Sequence, residues 1–272
     1  MDCSRKGSLL HEARSRHHYP PGLVAAVVAS ALVGRRRSFL KDATACAATL
    51  CPPLQIHNDR RPDGLEKPFG PDCPKKLLVV FNHYTHPGFP AWWTAFALAG
   101  ALVHECLAQP EPRWVITAGL NYLGPLAPLS RWALRRIAII YDAFLMPTMP
   151  PDPKDIEARA ATVRQVIAFA RSTPNARVCL APEGYDDDDG RLIVPPPGAG
   201  RFMLQLCRAG MTILPAGVYT EGGAYHVHFG STFSLDTPQG LLPDARDETA
   251  SHRVMSAIAE LLPLRLRGPF VS

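Results

Sequence analysis

A chain of 272 residues, 47% apolar and 19% charged, has the composition of one sizeable folded domain or two small ones, not of a disordered polymer. Its net charge of +5 gives no support for nucleic-acid binding beyond a mild positive balance, which suits an anionic membrane surface or an anionic substrate equally well. The seven cysteines are scattered, with no CxxC pair and no zinc-type His/Cys cluster, and fit reduced, mostly buried thiols in a cytoplasmic compartment.

In chain order, residues 1–21 are basic and polar and read as a flexible terminus. The stretch GLVAAVVASALVG at 22–34 is shorter than the about 20 residues needed to span a bilayer. Arginines follow it instead of a small-residue cleavage site, so a signal peptide is not expected. It reads either as a core helix or as an interfacial helix lying on a membrane. Residues 22–54 form one or two helices that end at Pro52-Pro53, and the polar stretch HNDRRPDGLEKPFGPDCPKK follows. Residues 22–74 are therefore N-terminal helices and linker, and 75–268 the main domain.

From residue 77 short apolar runs alternate with helical periods. LLVVF (77–81) reads as a buried strand and 90–107 as an apolar helix with proline in its first turn. RWVIT (113–117) and IAIIY (137–141) read as strands, the second preceded by a short helix around RWALRR. Residues 153–171 form the clearest helix, with Asp152 as cap and Ile156, Ala160, Val163, Ile167 and Ala170 on one face. RVCLAPEG (177–184) is a strand entering a loop, 199–209 a helix stopped by Gly210, TILPAGVY and YHVHFG strands, and 246–262 a last amphipathic helix. This alternation predicts an α/β fold: a central, largely parallel sheet flanked by helices, with an N-terminal helical extension. Ligands in such sheets bind beyond the carboxyl ends of strands, which singles out the loops at 82–88 and 182–190.

The first loop carries His83 just past a buried strand, where an imidazole suits proton transfer at neutral pH or simply bonds to backbone. The second contains Pro-Glu-Gly, an acidic turn, and a Gly-x-Gly helix start. In order, NHYTHPG, APEGYDDDDG, PPGAGRFMLQLCRAG and ILPAGVY resemble the glycerolipid acyltransferase family, the lysophospholipid or 1-acylglycerol-3-phosphate acyltransferases. The resemblance covers roughly residues 75–268. It implies transfer of a fatty acyl group from acyl-CoA or acyl carrier protein to a hydroxyl of a lysophospholipid or other lipid-like acceptor, with no metal and no bound organic cofactor. It implies His83 as general base, Glu183 as an acceptor-site residue, and Asn82 and Gly184 as neighbours that shape the loops.

Two positions depart from the family. The aspartate expected five residues after the histidine is Gly88, and 84–87 hold no carboxylate. A borrowed carboxylate (Glu183 or one of the aspartates at 186–189) or a backbone carbonyl would then orient the ring. The alternative is a non-enzymatic lipid- or acyl-binding protein of the same fold. Where relatives have Thr-Arg after Pro-Glu-Gly, this chain has Tyr185-Asp186. The acidic run disfavours a phosphate monoester as acceptor unless Arg135, Arg136 or Arg191 supplies the charge. The remaining features have plainer readings. The aspartates at 186–189 form a solvated turn, and His226 and His228 share the outward face of a strand rather than a zinc site. His86 is a turn residue, and Phe89, Trp92, Trp93 and Phe96 form either a core contact or an interfacial or acyl-chain entrance. The expected setting is cytoplasmic, with peripheral association at a membrane surface.

Overall fold

The computed structural model describes residues 17–59, 74–85, 90–149, 152–185, 187, 189–236, 240 and 242–271. Seven strands form one sheet: β1 (Gln55–Asn58), β2 (Leu77–Phe81), β3 (Arg113–Thr117), β4 (Phe144–Met146), β5 (Arg177–Leu180), β6 (Thr212–Glu221) and β7 (Ala224–Phe229). Their spatial order is β1-β7-β6-β2-β5-β3-β4. β6, β2, β5, β3 and β4 run parallel. β7 turns back antiparallel to β6, and β1 lies parallel to β7 at the edge. The expected α/β fold with a largely parallel sheet is the fold observed.

The central strands form because they are apolar on both faces, as a parallel sheet covered by helices requires. Every residue of LLVVF and of RVCL is buried. The helices are α1 (Leu23–Val33), α2 (Phe39–Ala47), α3 (Trp92–His104), α4 (Ala127–Ile140), α5 (Ile156–Ser172), α6 (Ala199–Arg208) and α7 (Pro243–Glu260). Right-handed crossovers place α3 and α4 on one face and α5 and α6 on the other. α2 packs over α3, α1 against α4, and α7 against α6. The α6–α7 contact is close enough that a Cβ at Gly200 would stand 2.0 Å from the Asp247 carbonyl. In the same contact, the Asp247 carboxylate accepts the N–H groups of Gly198 and Arg201 at the start of α6.

The topology creates switch points where the connections that follow neighbouring strands leave to opposite faces of the sheet, at β2/β5 and again at β5/β3. The chain leaves β2 toward β3 on one side and leaves β5 toward β6 on the other, yet β2 and β5 are neighbours. The two connections diverge and open a crevice at the carboxyl ends of these strands, where ligands bind in doubly wound sheets.

Two expectations change. IAIIY is not a strand: α4 runs on to Ile140, and the strand beside β3 is Phe144–Met146. The β-branched run imitates a strand, but Ala127, Ser130, Ala138 and Ile140 already form the buried side of one helix. A turn with Asp142 at φ 52 separates it from β4. Second, the stretch after Pro53 contains β1, so part of the linker belongs to the sheet. Part of the N-terminal extension also packs on the sheet. Leu40, Ala43, Cys46, Ala47 and Leu50 enter the same core as the sheet. Residues 1–16 of the expected N-terminal tail and residues 60–73 of the linker lie outside the described residues. His17 and Tyr19, however, pack on the ring of Trp93.

Candidate functional site

Beyond Phe81, which pairs with Ala216, the chain continues along β6 through side chains. Asn82 is 1% exposed. Its amide donates to the Val218 carbonyl at 2.8 Å and accepts the Val218 N–H at 2.7 Å. It thereby extends the β2–β6 ladder one step with a side chain in place of backbone. Two residues on, the buried Tyr84 hydroxyl meets the Thr220 hydroxyl at 2.6 Å, and the Tyr84 carbonyl accepts from Thr94 of α3 at 2.7 Å. Strand-like alternation turns His83, between them, the other way, and it is half-buried.

The second loop is closed by its glutamate. Glu183 is 1% exposed; its Oε2 accepts the His83 main-chain N–H at 2.5 Å, and its Oε1 accepts the Ile193 N–H at 3.0 Å. Charge-assisted bonds from main-chain N–H groups are what make burial of a carboxylate tolerable. The same loop drapes over the first one. Thr85 donates to the Asp187 carbonyl at 3.3 Å, and Gly190, at φ 68, approaches so closely that a Cβ would stand 2.7 Å from the Thr85 carbonyl. Only glycine satisfies both the left-handed conformation and that clearance.

The structure therefore brings Asn82, His83, Glu183 and Gly184 together at the β2/β5 switch point. Gly184 adopts φ 73 beneath Met149, and Tyr185 is exposed at the outer lip. Arg135 and Arg136 lie elsewhere. They occupy the C-terminal half of α4, which leads away from the carboxyl edge of the sheet, and Arg136 donates to the Leu32 carbonyl at 2.6 Å. Arg191 pairs with Asp189 at 3.5 Å on the surface. Gly88, His86, Phe89, Asp186 and Asp188 lie outside the described residues. Among the aromatic residues, Trp93 is fully buried, whereas Trp92 is exposed and donates to the Tyr19 hydroxyl at 2.8 Å.

One constellation was only half visible in the sequence. On the outer side of β1 and β7, His57 Nε2 lies 3.0 Å from His226 Nδ1, and His228 Nε2 lies 2.5 Å from Asp59 Oδ1. The His226 ring also stacks on Tyr219, with centroids 4.9 Å apart. The alternation of His226 and His228 was legible; their partners are His57, in a strand the pattern did not reveal, and Asp59, just past its end. The paired imidazole nitrogens point at one another as donor and acceptor, and no group of three His, Cys, Asp or Glu among the described residues is arranged to hold a metal ion.

The chain matches no protein-family model, and no curated protein matches it in sequence.

Proposed function

We propose that the protein is an acyltransferase that moves a fatty acyl group from acyl-CoA or acyl carrier protein to the hydroxyl of a lipid-like acceptor at a membrane surface. The observation that carries this reading is the Glu183 clamp. A buried carboxylate joins the Pro-Glu-Gly loop to the His83 main chain at the β2/β5 switch point, and these are the motifs on which the family resemblance rests. His83 removes the proton from the acceptor hydroxyl. The alkoxide oxygen attacks the thioester carbonyl, the new ester C–O bond forms as the C–S bond breaks, and the departing thiolate takes the proton back from the imidazolium. Glu183 acts by holding the histidine turn in place, and Tyr185 stands where an acceptor enters. With the acidic turn beside the site, the acceptor is a neutral, zwitterionic or cationic lysolipid or alcohol rather than a phosphate monoester.

A second reading rests on Gly88, the residue standing where the family keeps an aspartate: a lipid- or acyl-binding protein of the same fold without turnover. One assay separates the two. Purified protein is incubated with acyl-CoA or acyl carrier protein and mixed lysolipids, and products are read by mass spectrometry. The enzyme reading expects acyl-donor consumption that His83→Ala abolishes. An unchanged rate in that variant overturns the base assignment, and saturable donor binding without consumption favours the binder.

A further inference from the structure

The sequence of α1 is apolar on every side, and its packing is the reverse of a water-facing helix. Its one polar residue, Ser30, is the residue that is buried, and it accepts from Arg37 Nη1. The outward face is Val24, Ala25, Val28, Ala29, Leu32 and Val33, spaced at the four-residue repeat of one helical stripe. Leu32 is 57% exposed and Val33 77%. α4, on which α1 packs, continues the apolar surface with exposed Leu129, Trp132 and Ile139, and Leu126 just before it. Exposed apolar residues gathered on two adjoining helices mark an interaction face.

The charges around this face indicate its occupant. Arg35 follows α1 after Gly34, and Arg131 and Arg135 are exposed on α4. The acids bordering these segments, Asp142 and Asp42, pair with Arg36 and Arg37 at 2.7 Å each. A partner protein's apolar groove has no need of an arginine rim, whereas an anionic lipid surface does. The eleven residues of α1 extend about 16 Å, roughly half of a hydrocarbon core, so the helix lies in the interface. Among the described residues no helix is long and apolar enough to cross a membrane.

We infer that the exposed α1–α4 face docks the protein on an anionic bilayer, with Val24, Val28, Leu32 and Trp132 entering the headgroup region and the arginines contacting lipid phosphates. This deepens the membrane-surface part of the proposed function and rests on it for its purpose.

Binding to vesicles tests the inference without reference to turnover. The full chain is titrated with vesicles of phosphatidylcholine alone and of phosphatidylcholine mixed with phosphatidylglycerol, following co-sedimentation and tryptophan fluorescence. Binding is expected to the mixed vesicles, to weaken with salt, and to fall about fivefold for each of Arg35→Gln and Arg135→Gln. The double variant V28D/L32D should abolish it while leaving the melting temperature unchanged, because both side chains are exposed. Failure to bind mixed vesicles overturns the inference. So does a concentration-dependent dimer that V28D/L32D dissociates, which would make a second copy the occupant. Loss of thermal stability in that variant would show the face covered by the chain itself and would equally overturn it. Vesicle binding without acyl transfer would leave the docking face standing and remove the enzyme reading.

Discussion

The carboxylate of Glu183, 1% exposed, and the main-chain N–H of His83, one hundred residues apart in sequence, meet at 2.5 Å. Because the other carboxylate oxygen takes the N–H of Ile193 at 3.0 Å, one side chain fixes both walls of the crevice. Replacing it with alanine leaves two main-chain donors without that acceptor, so Glu183→Ala should destabilise the fold by about 2–4 kcal/mol. Urea denaturation measures this. Glu183→Gln keeps the shape and one good acceptor and should cost less than the alanine change. Equal stability of all three proteins would mean that the clamp contributes nothing.

Asn82 makes the matching bond on the other side of β2. Asn82→Asp retains an acceptor for the Val218 N–H but sets a carboxylate oxygen against the Val218 carbonyl. Asn82→Ala leaves both Val218 groups without their partner. Each variant should lose about 2–4 kcal/mol, and both should lower the fraction of folded protein before any effect on substrate affinity is seen. A selective change in acceptor KM with stability intact would instead place Asn82 in direct contact with substrate.

What the sequence reveals depends on whether a residue's neighbours in the chain determine its state. LLVVF and RVCL read as strands because a continuous apolar run of that length has few other outcomes. QIHN does not read as a strand. Its residues alternate between exposed and half-buried, and it becomes one only by pairing with β7. The run IAIIY misleads for the opposite reason, since its local β preference is overridden by the register of a helix that begins at Ala127. At the site, the Asn-His and Pro-Glu-Gly motifs identify the two loops, but no local pattern reveals that the glutamate grips the histidine's backbone. That contact depends on the order of β2 and β5 in the sheet.

Lys76 illustrates a contribution from the opposite edge. It precedes β2, and its ammonium donates to the Ala170 carbonyl at 2.6 Å and the Ala209 carbonyl at 3.3 Å, at the ends of α5 and α6. A cation there satisfies terminal carbonyls and complements two helix dipoles. Lys76→Met keeps the aliphatic stem and removes the charge, and should lower stability by about 1–2 kcal/mol. Thermal unfolding of the variant beside Lys76→Arg checks this, with the arginine expected to recover part of the loss.

The histidines of the β1–β7 edge predict a pH dependence. His226 Nε2 faces the Glu221 carbonyl at 3.3 Å, so it carries the proton, and Nδ1 is left to accept from His57 Nε2. Burial, and secondarily the neighbouring His226 and His228, hold the His57 pKa below its ordinary value. A base with a lowered pKa in the fold binds its proton more readily when unfolded. Its contribution is therefore fully present above the unfolded value of about 6.5 and is lost as pH falls through and below it. Asp59, paired with His228 at 2.5 Å, is an acidic group beside this cluster. Stability measured by urea denaturation should thus be level above neutrality and decline on acidification, with β1 protection from hydrogen exchange declining in parallel. His57→Gln keeps a side-chain donor for His226 but cannot titrate, so it should flatten that acid limb. An identical pH profile in this variant would show that His57 does not carry the dependence.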